Sequence, residues 1–252
     1  MKISSIKKYI YSLITIIIIF VIWQLIASIK DNEMIYPSLV VIFKRIFDIF
    51  KDYHNILTIL LVIPKVLLVI IISFLISIII GYLYYLIPAS FNFIRPILTI
   101  LKVAPFAAIA VYIIMAVNRN TAPYILTLFV SLPIMMESVI SSIDNLGKEI
   151  KDDISMLNIS VTRKFFSGIF PICLPFIILS FLQSFGLGIK TMIMGEYLCS
   201  KTNSIGGILY DHKSATNYDY ILAWLIILVI LTSIIDLIIS YIGKRITNKT
   251  IN

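Results

Sequence analysis

Six stretches of this chain are apolar for about as long as a bilayer is thick, and no other feature limits its fold so severely. They run over residues 9–29, 56–87, 96–117, 123–140, 174–195 and 219–242. A hydrocarbon core about 30 Å thick is crossed by a helix of about 20 apolar residues. Lipid offers the backbone no hydrogen-bond partners, so runs of this kind must be helical. The expectation is an all-α, polytopic membrane protein with about six transmembrane helices. Composition agrees, because 60% of the 252 residues are hydrophobic and only 13% are charged, against about 45–50% and 25% in an ordinary soluble domain.

The net charge of +8 would suit a nucleic-acid binder if it formed one patch. Instead Lys and Arg stand at the ends of apolar runs, which is a topology signal and excludes nucleic acid as the expected partner. With the N-terminus inside, twelve bases, Lys2, Lys7, Lys8, Arg95, Lys102, Lys148, Lys151, Arg163, Lys164, Lys244, Arg245 and Lys249, fall on one side against seven, Lys30, Lys44, Arg45, Lys51, Arg119, Lys201 and Lys213, on the other. Asp31, Glu33, Asp48, Asp52, Glu196, Asp211 and Asp219 share the side with fewer bases. The excess of bases predicts cytoplasmic N- and C-termini. The first run is too long for a signal-peptide core and has no clear small-residue cleavage site, so it reads as transmembrane helix 1.

Residues 1–55 form an expected N-terminal unit, namely helix 1 and a segment in which Leu39, Ile42, Phe43, Ile46, Phe47 and Phe50 recur at helical spacing. An amphipathic helix of this kind is expected to lie flat on the membrane surface, in contact with lipid. Residues 56–252 form the core domain of five further spans. Cys173, Cys199, His54 and His212 are too scattered for a metal motif, and no metal or other cofactor is expected. No G-x-x-x-x-G-K-[ST] loop is present, so ATP chemistry through that motif belongs to another polypeptide.

The loop 141–175, about 35 residues, is longer than an ordinary connection. It reads as two short helices broken at Asn158-Ile159-Ser160. Asn tolerates the left-handed conformation that ends a helix, and Ser160 suits the next N-cap. Asp152 and Asp153 are assigned to the N-terminal half of the first helix. Leu157, Val161, Phe165 and Phe166 would offer apolar knobs to a partner's groove.

This loop resembles the one in permease subunits of binding-protein-dependent ABC importers, which reads E-A-A-x3-G-x9-I-x-L-P. Asp152-Asp153-Ile154 takes the E-A-A place, Asn158 the glycine, and Gly168 to Pro171 the last four positions. Further landmarks resemble the branch serving taurine, alkanesulfonates, nitrate and thiamine-precursor or riboflavin-like substrates. Tyr36-Pro37-Ser38 is similar to its P-S-P, and Lys65 stands where an arginine usually opens helix 2. Val103 to Ala110, with Pro105, resembles I-P-P-x-A-x-I-P, and Pro133 to Ser138 resembles P-I-x-x-N-T with Glu137 in the asparagine place. Glu196 and Ile205-Gly206-Gly207 follow its A-E and G-L-G landmarks.

The resemblance implies the type I ABC importer transmembrane fold in a prokaryotic inner membrane. It implies a pair of permeases, as a homodimer, served by a cytoplasmic ATPase dimer that uses the ATP. An extracytoplasmic solute-binding protein or lipoprotein would deliver the substrate. The ATPase-docking residues would be Asp152, Asp153, Leu157, Asn158, Ser160, Val161, Phe165 and Pro171. Candidates for the translocation pathway are Lys65, Lys102, Pro105, Glu137, Ser138, Lys190 and Glu196. Charges inside spans are functional candidates because burying them in lipid is costly, although Lys65 and Lys190 could snorkel. Two rival readings are an anchor or sensor subunit without transport, and an intramembrane lipid-modifying enzyme. The second would need clustered acids, a His pair or a nucleophile within the spans, and the sequence shows none.

Overall fold

The computed structural model describes the backbone of residues 2–30 and 32–251, and side chains of residues 10–11, 14–30 and 32–243. The side chains of Lys2, Lys7, Lys8, Lys244, Arg245 and Lys249, and the whole of Asp31, lie outside the described residues, so the charge assignment there rests on sequence alone. Among the described residues all regular structure is helical. Four unbroken helices are long and apolar enough to cross a membrane: Tyr53–Leu86, Ala122–Asp144, Val161–Leu198 and Tyr218–Gly243. A bent pair, Pro88–Val103 with Phe106–Ala116, makes a fifth if it is counted as one span, and helix 1 contributes the shorter apolar stretch Ile14–Lys30.

Helix α1 (Lys2–Lys30) is tied to α2 (Leu39–Lys51) through the intervening turn. Trp23 Nε1 donates to the Pro37 carbonyl at 3.1 Å, and Gln24 Oε1 accepts from the Leu39 amide at 3.1 Å. The apolar face of α2 is divided. Ile42 and Ile49 are buried against α3 and α11, whereas Phe43, Phe47 and Phe50 are exposed. Asp52 caps α3 (Tyr53–Leu86) by accepting from the His54 amide at 2.9 Å.

At the centre stands α6 (Ala122–Asp144), packed between α3 and α9 (Phe170–Leu198). Small residues recur one turn apart on α3, at Ser73, Ser77 and Gly81, and let α6 approach closely. Ser73 Oγ and Ser131 Oγ share a hydrogen bond of 2.7 Å. A Cβ on Gly81 would stand 2.3 Å from Val139 Cγ1. Helix α11 (Tyr218–Ile251) runs antiparallel to α9, since Asp236 lies over Gly186 and Leu179 lies over Gly243.

The run at 96–117, expected as one span, is two helices. After a 3-10 turn, Pro88–Ser90, α4 (Phe91–Val103) ends and α5 (Phe106–Ala116) departs at 100°. The cause is local: the residue before a proline is driven out of the α region, and Ala104 is extended at φ −62°, ψ 130° before Pro105. Pro64 and Pro133 lie inside unbroken helices, and Pro123 sits in the first turn of α6.

Candidate functional site

The segment between α6 and α9 contains α7 (Lys148–Met156), an extended turn, and then α8 (Val161–Lys164). The break falls where the sequence placed it, but its details differ. Asn158 is not left-handed, since positive φ in non-glycine residues occurs only at Ser200, Asn203 and Thr216 among the described residues. Leu157 makes the break by turning extended, at φ −63°, ψ 129°. Ser160 stands at the N-cap of α8 without a side-chain capping bond. Asp152 is the middle residue of α7 and Asp153 follows it, while Glu149 occupies the first turn. The second helix is not short, because a π-turn, Phe165–Ile169, continues α8 into α9.

This element is fastened to the core from behind. Phe165, expected as an exposed knob, is 1% exposed and packs among Tyr82, Tyr85, Phe166 and Phe170. Ile154 is buried in the same cluster and lies against Gly168. Lys164 Nζ donates to the Ser155 carbonyl at 2.5 Å, and Lys151 Nζ to the Asp144 carbonyl at 3.1 Å. Tyr82 Oη and Thr162 Oγ1 are 2.8 Å apart. Asp152, Asp153, Leu157, Asn158, Ser160, Val161, Phe166 and Pro171 are among the residues that remain exposed, as is Met156.

A second feature lies on one face of α4, α6 and α9. Lys102 and Glu137 form an ion pair, half exposed. Two contiguous cavities flank it, of about 630 and 540 Å³. One continues to Arg95 and Asp144, the other to Ser138, Ser141 and Gln183. Ser138 Oγ donates across to the Phe176 carbonyl at 3.3 Å, linking α6 to α9. A smaller cavity of about 340 Å³ begins at Lys102 and runs beneath the α4–α5 bend.

A third feature joins α3 to the far end of α9. Lys65 Nζ meets Glu196 Oε1 at 2.7 Å, with the Glu196 side chain 1% exposed. Lys65 is thus paired in the interior rather than snorkelling, and Glu196 lies in the last turn of α9. Glu196 Oε2 is buried and has no hydrogen-bond partner among the described residues. Beyond it, Lys201 Nζ donates to the Asn120 carbonyl at 3.1 Å and lies 4.8 Å from the centre of the Tyr124 ring. Burial pushes the Lys201 ammonium below its usual range, and Lys65 reinforces the shift.

The family model described as "Binding-protein-dependent transport system inner membrane component" matches residues 76–248. The chain belongs to that family. No curated protein matches it. It is therefore an ABC importer permease, a multi-pass membrane component of transport rather than an enzyme, and its family works with a solute-binding protein and an ATPase.

The permease brings the sequence-derived candidates together in three groups. Lys102, Glu137 and Ser138 share one groove, with Pro105 at the adjoining bend. Lys65 and Glu196 hold each other inside the helix bundle. Lys190 stands apart, beside α11. Sequence reasoning missed Gln183, whose signal was its polarity seven residues before Lys190 on the same face of α9. It also missed the fastening of α2, where Arg45 Nε donates to Asp219 Oδ2 at 2.7 Å and the guanidinium lies 4.6 Å from the centre of the Tyr220 ring. That hydrogen bond raises the Arg45 pKa further.

Proposed function

We propose that this permease pairs with a second copy of itself, conducts a small solute along the α4–α6–α9 groove, and couples to a separate ATPase dimer through α7 and the turn that follows it. The observation behind this reading is the contrast between the two sides of that element. Its inner side is packed and hydrogen-bonded to the core, while Leu157 and Val161 are exposed beside Asp152 and Asp153, and Phe166 is half exposed with its ring resting on Tyr82 and Phe170. Apolar side chains on a firmly held turn suit insertion into a partner's groove. The groove at Lys102 and Glu137 is polar on an otherwise apolar surface, which suits passage of a hydrated or charged solute.

In this reading α7 and both termini face the cytoplasm, and the α10 end (Ile205–Ser214) meets the solute-binding protein. The landmarks at Pro37, Lys65 and Glu196 favour a taurine, sulfonate, nitrate or thiamine-precursor class of substrate. The test is co-purification with the ATPase. Asp152→Arg with Asp153→Arg, or Asn158→Pro, should release it, whereas Asn158→Gly should leave it bound. An ATPase that stays associated after the double charge reversal contradicts the docking role.

A further inference from the structure

A groove of about 510 Å³ runs between α9, α10 and α11 on the outer, apolar surface of the protein. Met194, Leu225 and Val229 wall it and are themselves largely exposed. Its polar groups are confined to the ends. At one end Tyr197 and Tyr210 meet edge to face with ring centres 6.0 Å apart, and Lys213 Nζ lies 6.0 Å from the Tyr210 ring. At the other stand Thr232 of α11 and, on antiparallel α9, Lys190.

The dimensions fit an acyl chain. Tyrosines beside a lysine at the end of a span mark the headgroup level. From Ile221 to Thr232 the groove descends eleven residues of helix, about 16 Å, which is half of a hydrocarbon core about 30 Å thick. The groove thus has the depth of one leaflet and the apolar walls of an acyl-chain site. A soluble solute would find almost nothing polar along it.

Charge narrows the choice further. Lys190 lies seven residues before Tyr197, about 10 Å deeper by helix rise, and neither it nor Lys213 has an ion-pair partner among the described residues. Asp236 is the nearest acid on α11, one turn along α9 beside Gly186, and is not within ion-pair distance of Lys190. A cation left in hydrocarbon costs at least about 2.5–3.5 kcal/mol, relieved by snorkelling. An anion at the mouth gives its ammonium something to extend toward.

We propose that this groove binds an anionic phospholipid, with one acyl chain along Leu225 and Val229 and the phosphate held by Lys213 with Lys190 beneath it. The site is separate from the Lys102–Glu137 groove and does not depend on which solute that groove conducts.

Native mass spectrometry of the purified full chain tests this with phosphatidylglycerol and phosphatidylcholine of identical acyl chains. Phosphatidylglycerol should be retained at least about fivefold over phosphatidylcholine, roughly 1 kcal/mol by the affinity relation. Lys190→Gln with Lys213→Gln should abolish the preference, Val229→Trp should remove binding by filling the groove, and Asp236→Asn should leave it intact. Thermal unfolding checks that each variant is folded, and if Val229→Trp is not, the exposed-lysine double variant decides alone. Equal retention of both lipids, or a preference that survives loss of both lysines, overturns the proposal. Glycerol phosphate that competes as well as the lipid would make this a free-anion site. A dimer that Val229→Trp dissociates would make the occupant a second copy of the chain, and either result overturns the proposal.

Discussion

Lys65 and Glu196, on helices α3 and α9, form an ion pair of 2.7 Å in the interior, and it stitches together elements 131 residues apart in sequence. The pair stands beside the tight junction of α9 and α10, where a Cβ on Gly206 would be 2.5 Å from Glu196 Cβ. Removing one partner of a buried pair strands a charge, at a cost of about 3–5 kcal/mol. Lys65→Met should therefore lower unfolding stability in detergent by that order. Lys65→Met with Glu196→Gln should recover most of the loss, and Lys65→Arg should lose the least. A double-mutant cycle with no coupling between the two positions would contradict the pairing.

Gly206 should tolerate nothing larger. An added Cβ would stand 2.2 Å from the Tyr197 backbone nitrogen and 2.5 Å from the Ile193 carbonyl oxygen, and backbone cannot give way as a side chain can. Gly206→Ala should destabilise by at least about 1–3 kcal/mol, the usual cost of overpacking, with no rescue from smaller neighbours. Gly81→Ala clashes with the Val139 side chain alone, Ile143 Cδ1 lying at an ordinary contact of 3.7 Å, so Val139→Ala should rescue it. Melting temperatures of the two pairs separate the cases.

Lys102 and Glu137 are both half exposed, so their pair should matter little to stability, about 0–1 kcal/mol. If the groove beside them conducts the solute, Lys102→Gln and Glu137→Gln should each lower uptake into proteoliposomes at least tenfold while melting temperature is unchanged. Full uptake in both variants would remove these residues from the path.

His212 stacks on Tyr220 with ring centres 4.5 Å apart, and burial holds its pKa below the ordinary value, against an opposing pull from Asp219 and Asp211. The unfolded chain therefore takes up the proton at higher pH than the folded one. His212 contributes no pH dependence above about pH 6.5. Stability should then fall as pH drops through the window between 6.5 and the lowered folded value. Melting curves across that range should show the decline in the native protein and its absence in His212→Gln. Identical curves for the two would refute the assignment.

The spans were legible because hydrophobicity over 20 residues survives any detail of packing, and the Asn158–Ser160 break was legible because short polar residues interrupt a helix. The 100° bend was not, since hydropathy is blind to the backbone restriction that Pro105 places on Ala104. Burial of Phe165 beside exposed Phe166 depends on which way a π-turn rotates the helix face, and no periodicity reveals that. Lys65 and Glu196 were each conspicuous, but only tertiary packing joins residues so distant in sequence. Lys102, Glu137 and Ser138 were found individually, and Gln183 was overlooked because one amide among apolar residues is a weak signal.

Because α8, the π-turn and α9 are continuous, the protein contains a lever. Val161–Leu198 is 38 residues long, about 57 Å at helical rise. A partner that tilts the Val161 end by about 5° about the opposite end displaces that end by about 5 Å, the pitch of one helical turn. Near the other end, the Lys65–Glu196 pair ties this helix to α3.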